Sequence, residues 1–94
     1  MKVKKVYIAG KITGDPAYRE KFARAEARLR ALGHIVMNPA ILPDGFTHAE
    51  YMLICFAMID VCDAVFFLSD WVDSDGAWQE HGRALEKDKI RIYS

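Results

Sequence analysis

Ser74-Asp75-Gly76-Ala77-Trp78-Gln79-Glu80 is the stretch of this sequence in which residue types and spacing most suggest chemistry. Ser74 is a natural helix N-cap, and Gly76 removes side-chain bulk where the backbone N–H groups of a helix start point outward, which suits an anion. Glu80 lies three residues after Ala77 and four before Ala84, on the small-residue face that packs inward. A carboxylate on a buried stripe is expensive unless it is paired or working. Glu80 is therefore the leading candidate for a reacting group, with a structural ion pair as the alternative; Glu86 lies off that stripe and reads as surface.

Gly10-Lys11-Ile12-Thr13-Gly14 is a second glycine-rich stretch. It matches neither a dinucleotide GxGxxG fingerprint nor a GxxxxGK(S/T) phosphate loop, so a strand-to-helix turn that needs glycine and a weak phosphate cradle are both open readings. Asp63 precedes a strand and reads as an acceptor of backbone N–H bonds, whereas Asp60, near a helix end, is open to either role. Trp71 follows a strand end and suits base stacking or core packing. His34, His48 and His81 share no ligand spacing, and Cys55 and Cys62 form no CxxC pair. No metal or other cofactor is expected, and the two thiols are expected to be free and buried.

These residues need elements to hold them. Val3 to Ala9 is rich in β-branched and aromatic residues and stops at Gly10, as a strand does. Asp15 as cap and Pro16 in the first turn open a helix with Tyr18, Phe22, Ala25, Leu29 and Leu32 on its inner face, ended by Gly33. Arg19, Lys21, Arg24, Glu26, Arg28 and Arg30 fill its outer face. His34 to Met37 is a short strand, Ala40 to Phe46 a loop, and Thr47 or His48 to about Val61 a helix apolar on most sides. Such a helix is expected to be buried on two faces, against the sheet and against another subunit. Ala64 to Leu68 is the continuous apolar run of a central parallel strand. Ser74 to about Lys87 is a third helix and Ile90 to Tyr93 a last strand. The order βαβαβαβ, with right-handed crossovers, predicts an α/β fold: an open parallel sheet of four strands with helices on both faces. Ligands bind outside the carboxyl ends of such strands, and three loops empty there: Gly10 to Gly14, Asn38 to Phe46 and Ser69 to Asp75.

Composition bounds the rest. With 94 residues, 52% of them hydrophobic, the chain is expected to be one domain, residues 1–94, and is not a disordered tract. A domain this small has few side chains to spare for a pocket, so a site completed by a partner subunit is expected. The 13 basic and 13 acidic residues cancel but are uneven: residues 1–47 carry nine Lys/Arg and four acids, and residues 48–94 the reverse. No Lys or Arg occurs between Arg30 and Arg83, so acids are expected to gather around the strand ends. The balance argues against an extended nucleic-acid partner, and no run is long and apolar enough for a membrane span, so a cytoplasmic protein is expected.

The series Val6-Tyr7-Ile8-Ala9-Gly10-Lys11-Ile12-Thr13-Gly14, Cys62-Asp63-Ala64-Val65, Trp71, and Ser74-x-Gly76-Ala77-x-x-Glu80-x-x-x-Ala84 resembles the nucleoside 2-deoxyribosyltransferase superfamily. It is most similar to short bacterial and phage members related to the 2'-deoxynucleoside 5'-phosphate N-hydrolases. The resemblance implies a three-layer flavodoxin/Rossmann-like fold, a homo-oligomer (dimer or tetramer) and cleavage of an N-glycosidic bond. It makes Glu80 the nucleophile that attacks the sugar C1' and Tyr7 the residue that steadies it. Ser74 tilts the substrate towards a nucleoside monophosphate, with Gly76 and the Gly10, Ile12, Thr13 and Gly14 turn as further contacts and Trp71 beside the base. Thr13 replaces an arginine that can contact phosphate in the hydrolases. Cys55 falls where the family has an aspartate near the sugar, and Asp60 is the acid expected to take over that role.

The sequence thus predicts hydrolysis, or transfer, of the glycosidic bond of a nucleoside 5'-monophosphate or nucleoside. The rival readings are a non-catalytic nucleotide-binding or sensor protein of the same fold, and an oligomeric interaction module built on the apolar middle helix.

Overall fold

Four apolar runs form the strands β1 (Lys5–Ala9), β2 (Ile35–Met37), β3 (Ala64–Phe67) and β4 (Ile90–Tyr93). Between them lie the helices α1 (Tyr18–Ala31), α2 (His48–Asp60) and α3 (Asp75–Glu86) in the computed structural model, which describes residues 2–94. All pairings are parallel and the strand order is β2-β1-β3-β4. The chain winds outward from β1 to β2 and then crosses to β3 and β4 on the other side. The winding therefore reverses between β1 and β3, and a crevice opens at their carboxyl ends.

Side-chain alternation divides the core into two layers. Val6 and Ile8 of β1, with Ala64 and Phe66 of β3, meet Phe22, Ala25 and Leu29 of α1. Tyr7 and Ala9, with Val65 and Phe67, meet Cys55, Met58 and Ile59 of α2 and Ala84 of α3. Both central strands are buried on both faces, as the continuous apolar run in β3 predicts. This is the expected three-layer α/β fold with helices on both faces of the sheet.

Local chemistry sets the boundaries. Thr47 caps α2 with a complete capping box, its side chain accepting from the Glu50 N–H while Glu50 accepts from the Thr47 N–H. Ser74 caps α3, its Oγ accepting from the Ala77 N–H at 3.1 Å. Asn38, buried after β2, is satisfied on both sides, accepting from the Ala40 N–H and donating to Glu26. The two free cysteines, Cys55 and Cys62, are buried.

Three expectations need correction. Asp15 and Pro16 do not open α1. They form a separate turn, in which Asp15 accepts from the Ala17 N–H, and the helix begins at Tyr18. Leu32 is the C-cap and is 55% exposed instead of inward-facing. Lys21 is not on the outer face: its ammonium reaches Asp15, Asp70 and the Lys11 carbonyl, and ties the loop after β1 to the loop after β3.

Phe22 is fully buried at the centre of the α1 layer. Phe22→Ala is expected to lower the unfolding free energy in urea by about 3–5 kcal/mol. The exposed neighbour Arg24→Ala should stay within about 0.5 kcal/mol of wild type.

Candidate functional site

The site begins with the alternation of β1, which sends Tyr7 towards α2 and α3. There its hydroxyl donates to Oε2 of Glu80. On α3, Ala77, Glu80 and Ala84 make the buried face, and the two small side chains let the helix approach the sheet closely enough for that bond. Glu80 is only 6% exposed and has no cationic partner among the described residues, so the ion-pair alternative does not apply to it there.

Burial is the main influence on its ionisation. Removal from water raises the Glu80 carboxyl from its ordinary 4.5 to about 7, although hydrogen bonds from Tyr7 and Cys55 pull the other way. Burial, and then the charge of Glu80, hold Tyr7 well above its ordinary 10. The same two causes push the Cys55 thiol up to about 11. At neutral pH Glu80 therefore titrates between two groups that keep their protons.

Glu80 faces a cavity of about 170 Å³ at the β1/β3 switch point. Gly10, Ile12 and Thr13 form one wall, Pro39, Leu42 and Asp44 another, and His48, Met52 and Cys55 line it from α2. Ser74, Gly76 and Ala77 at the start of α3 complete it. A shallower depression shares Thr13, His48, Ser74 and Gly76 and adds Asp73 and Asp75.

The two glycines differ in what they permit. A Cβ on Gly10 would stand 2.8 Å from Leu68 Cδ1, so glycine is required there by the packing of two loops. A Cβ on Gly76 would meet Met52, His48 and Ser74 at 3.6 to 3.8 Å, ordinary contact distances. Packing does not demand glycine at this position; a methyl group there would only take space from the cavity.

Of the residues singled out in the sequence, Gly10, Ile12, Thr13, Cys55, Ser74, Gly76 and Glu80 line one cavity, with Tyr7 directly behind Glu80. Gly14 lies outside it and serves the turn, with a φ of 84°. Trp71 also lies outside. It packs on Phe67 and stacks on His81, with ring centroids 4.6 Å apart, in an aromatic cluster with Trp78 and Tyr93. Asp60 cannot take over a role beside the sugar, because it is the last residue of α2 and the cavity is at the other end. Its carboxylate forms a two-pronged pair with Arg83 at 2.6 and 3.0 Å.

The acids as a group are more dispersed than their sequence positions suggest. Asp63 accepts from the Lys5 N–H at the amino end of the sheet, and Asp70 is bound by Lys21. Among the described residues, only Asp44 and Glu80 bring carboxylates to the main cavity. Sequence reasoning placed the loop that carries Asp44 at the site, but missed Tyr18, Tyr51 and Met52 and did not place His48 in the site. His48, Met52 and Cys55 follow helical spacing from the capped start of α2, which was the available signal.

The elevated carboxyl carries a stability consequence. The unfolded chain ionises Glu80 near 4.5 and the folded chain near 7, so the unfolded state gains relative stability as pH rises between them. The penalty is absent below about pH 4 and complete above pH 7, at about 3 kcal/mol. Glu80→Gln should thus be more stable than wild type by about 2–3 kcal/mol at pH 8. That gain should shrink towards zero by pH 4 in denaturant titrations of both proteins.

The sequence profile of a family described as Domain of unknown function (DUF4406) matches residues 4–93. No curated protein matches the sequence. Among solved structures, the chain is similar to the 2-deoxyribosyltransferase from Leishmania mexicana, with a TM-score of 0.76 and 19% identity, over 96% of this chain and 63% of that one. It is also similar to a 2-deoxyribosyltransferase from the psychrotolerant bacterium Bacillus psychrosaccharolyticus, with a TM-score of 0.66 and 22% identity, over 95% of this chain and 70% of that one. At these identities the likeness establishes a shared fold, and the chain spans less than two thirds of the Leishmania mexicana protein.

Proposed function

The chain belongs to the DUF4406 family, whose profile covers all but its ends, and we propose that it cleaves the N-glycosidic bond of a nucleoside or nucleoside 5'-monophosphate. The observation that carries this reading is Glu80: a buried carboxyl, bonded to Tyr7, open to a cavity at the sheet's switch point. The deoxyribosyltransferase fold of the two structural neighbours supports it.

In the proposed reaction the ionised Glu80 attacks C1' of the sugar, and the base departs with the electrons of the C1'–N bond. Water then hydrolyses the glycosyl ester, or a second base accepts the sugar. Tyr7 holds one carboxylate oxygen in place and, keeping its own proton, does not compete as a base. Ser74 accepts from the Ala77 N–H, so its own hydroxyl proton can donate to substrate. The free N–H groups of Asp75 and Gly76 in the first turn of α3 suit the oxygens of a 5'-phosphate.

The proposed protein is a single-domain, cytoplasmic homo-oligomer. No helix among the described residues is long and apolar enough to cross a membrane. The open side of α2, with Leu53 72% and Val61 59% exposed, supports burial against a second copy. Binding without turnover is the second reading. Cys55 favours it, because a thiol stands beside Glu80 where a second carboxyl group could have assisted the leaving base.

Incubating the protein with ribo- and deoxyribonucleosides and their 5'-monophosphates should release free base, followed by chromatography. The rate should rise with pH through about 7 as Glu80 ionises. Glu80→Gln should lower kcat/KM by about 1000-fold or more. Equal rates for the two proteins would remove Glu80 from the mechanism, and calorimetric binding without base release would establish the second reading.

A further inference from the structure

At the depth of Glu80 the cavity holds no good acid for a departing base. Asp44 lies at the rim with its side chain 90% exposed and paired with Arg19 at 3.1 Å. His48 lines the cavity from the first turn of α2, beside Gly76 at the start of α3, whereas the side chains that act on the ionisation of Glu80 are Tyr7 and Cys55. The Tyr51 hydroxyl donates to the Pro43 carbonyl, and Tyr18 lines the cavity from the start of α1, its ring partly packed on the α1 layer. Two protonated groups remain beside Glu80. The Tyr7 hydroxyl is committed to the carboxylate, and burial makes the Cys55 thiol a weaker acid still, at about 11.

Charge points the same way. Among the described residues that line the cavity, Asp44 and Glu80 are acidic and none is Lys or Arg, with Arg19 pairing Asp44 at the rim. Arg19 lies over the Tyr18 ring, with its guanidinium bonded to Asp44 and the Ala40 carbonyl. The rings of Tyr18 and Tyr51 line the same space, and aromatic faces attract cations.

Resting on the N-glycosidase reading above, we propose that the preferred substrates are N-glycosides of cationic bases: pyridinium or N-alkylated purine nucleosides, free or 5'-phosphorylated. A neutral base leaves as an anion unless something protonates it, and general acid catalysis contributes about 10²–10⁴-fold to such steps. A cationic base needs no proton. A Glu80 oxygen forms the bond to C1', the C1'–N bond breaks, and its electron pair stays on nitrogen and cancels the positive charge. Water then adds at C1', Glu80 leaves as carboxylate, and one proton passes to solvent.

The test measures release of free base from nicotinamide riboside and 7-methylguanosine beside inosine and adenosine. Ribo, 2'-deoxyribo and 5'-monophosphate forms are included, and uncatalysed rates are subtracted. The cationic compounds are expected to show kcat/KM about 100-fold or more above the neutral ones. For nicotinamide riboside, whose quaternary pyridinium charge does not titrate, the rate should rise through about pH 7 and stay level to pH 9, since the groups facing Glu80 are Tyr7 from β1 and Cys55 from α2, and neither has to give up a proton. Comparable rates on neutral nucleosides would overturn the charge preference and leave the N-glycosidase reading standing. A bell-shaped profile on nicotinamide riboside would reveal a required acid and overturn it as well. Release from none of the compounds would remove the N-glycosidase reading itself.

Discussion

The bond between the Tyr7 hydroxyl and the Glu80 carboxylate joins the first strand to the last helix through the driest part of the molecule. A carboxyl group in such a place has to be bonded, and Tyr7 is positioned to do this only because β1 is central, buried on both faces and in register with β3. The close approach of α3 follows from Ala77 and Ala84 on either side of Glu80. Larger residues there would lift the helix away, and the carboxyl group would lose its partner and its dry surroundings together. The elevated pKa of Glu80 is thus a property of the packing of three elements as much as of one residue.

That arrangement sets a conflict between stability and chemistry. Ionising Glu80 inside the core opposes folding, yet the proposed reaction requires the ionised form. The bonds from Tyr7 and Cys55 moderate the conflict without abolishing it, since they pull the carboxyl down while burial pushes it up. A cationic partner such as Arg83 would abolish it, but the fold directs Arg83 to Asp60 at the far end of α2. The Arg83 guanidinium therefore joins α3 to α2 and stays away from Glu80.

The fold was legible in the sequence because its signals are periodic. The apolar run at Ala64 to Leu68, the strand-like Ile90 to Tyr93 and the cap at Ser74 each specify local structure that tertiary contacts then reinforce. Glu80 was legible for the same reason, as an acid at helical spacing between alanines. Tyr7 was legible only by resemblance, since an aromatic residue in a buried strand is ordinary core. Asp60 and Trp71 misled because nearness in sequence to a strand end or to an apolar helix does not say which end of the sheet a side chain occupies. Lys21 misled in a different way: its position on α1 is on the charged side, and only the two loops folding over that helix end give its ammonium three acceptors.

The same lysine makes the two sides of the cavity mechanically unequal. Asp15, Asp70 and the Lys11 carbonyl converge on one half-buried ammonium, and Asp70 also accepts from the Lys11 N–H, so the loops after β1 and β3 are clamped as one unit. The opposite rim, from Leu42 to Thr47, rests on an exposed Arg19–Asp44 pair and on the Tyr51 hydroxyl, contacts that contribute little when water competes for them. Gly45, with a φ of 110°, makes the turn on that side. Gly10 and Thr13 thus belong to the side of the cavity held by half-buried charge, and Asp44 to the side held by contacts open to water.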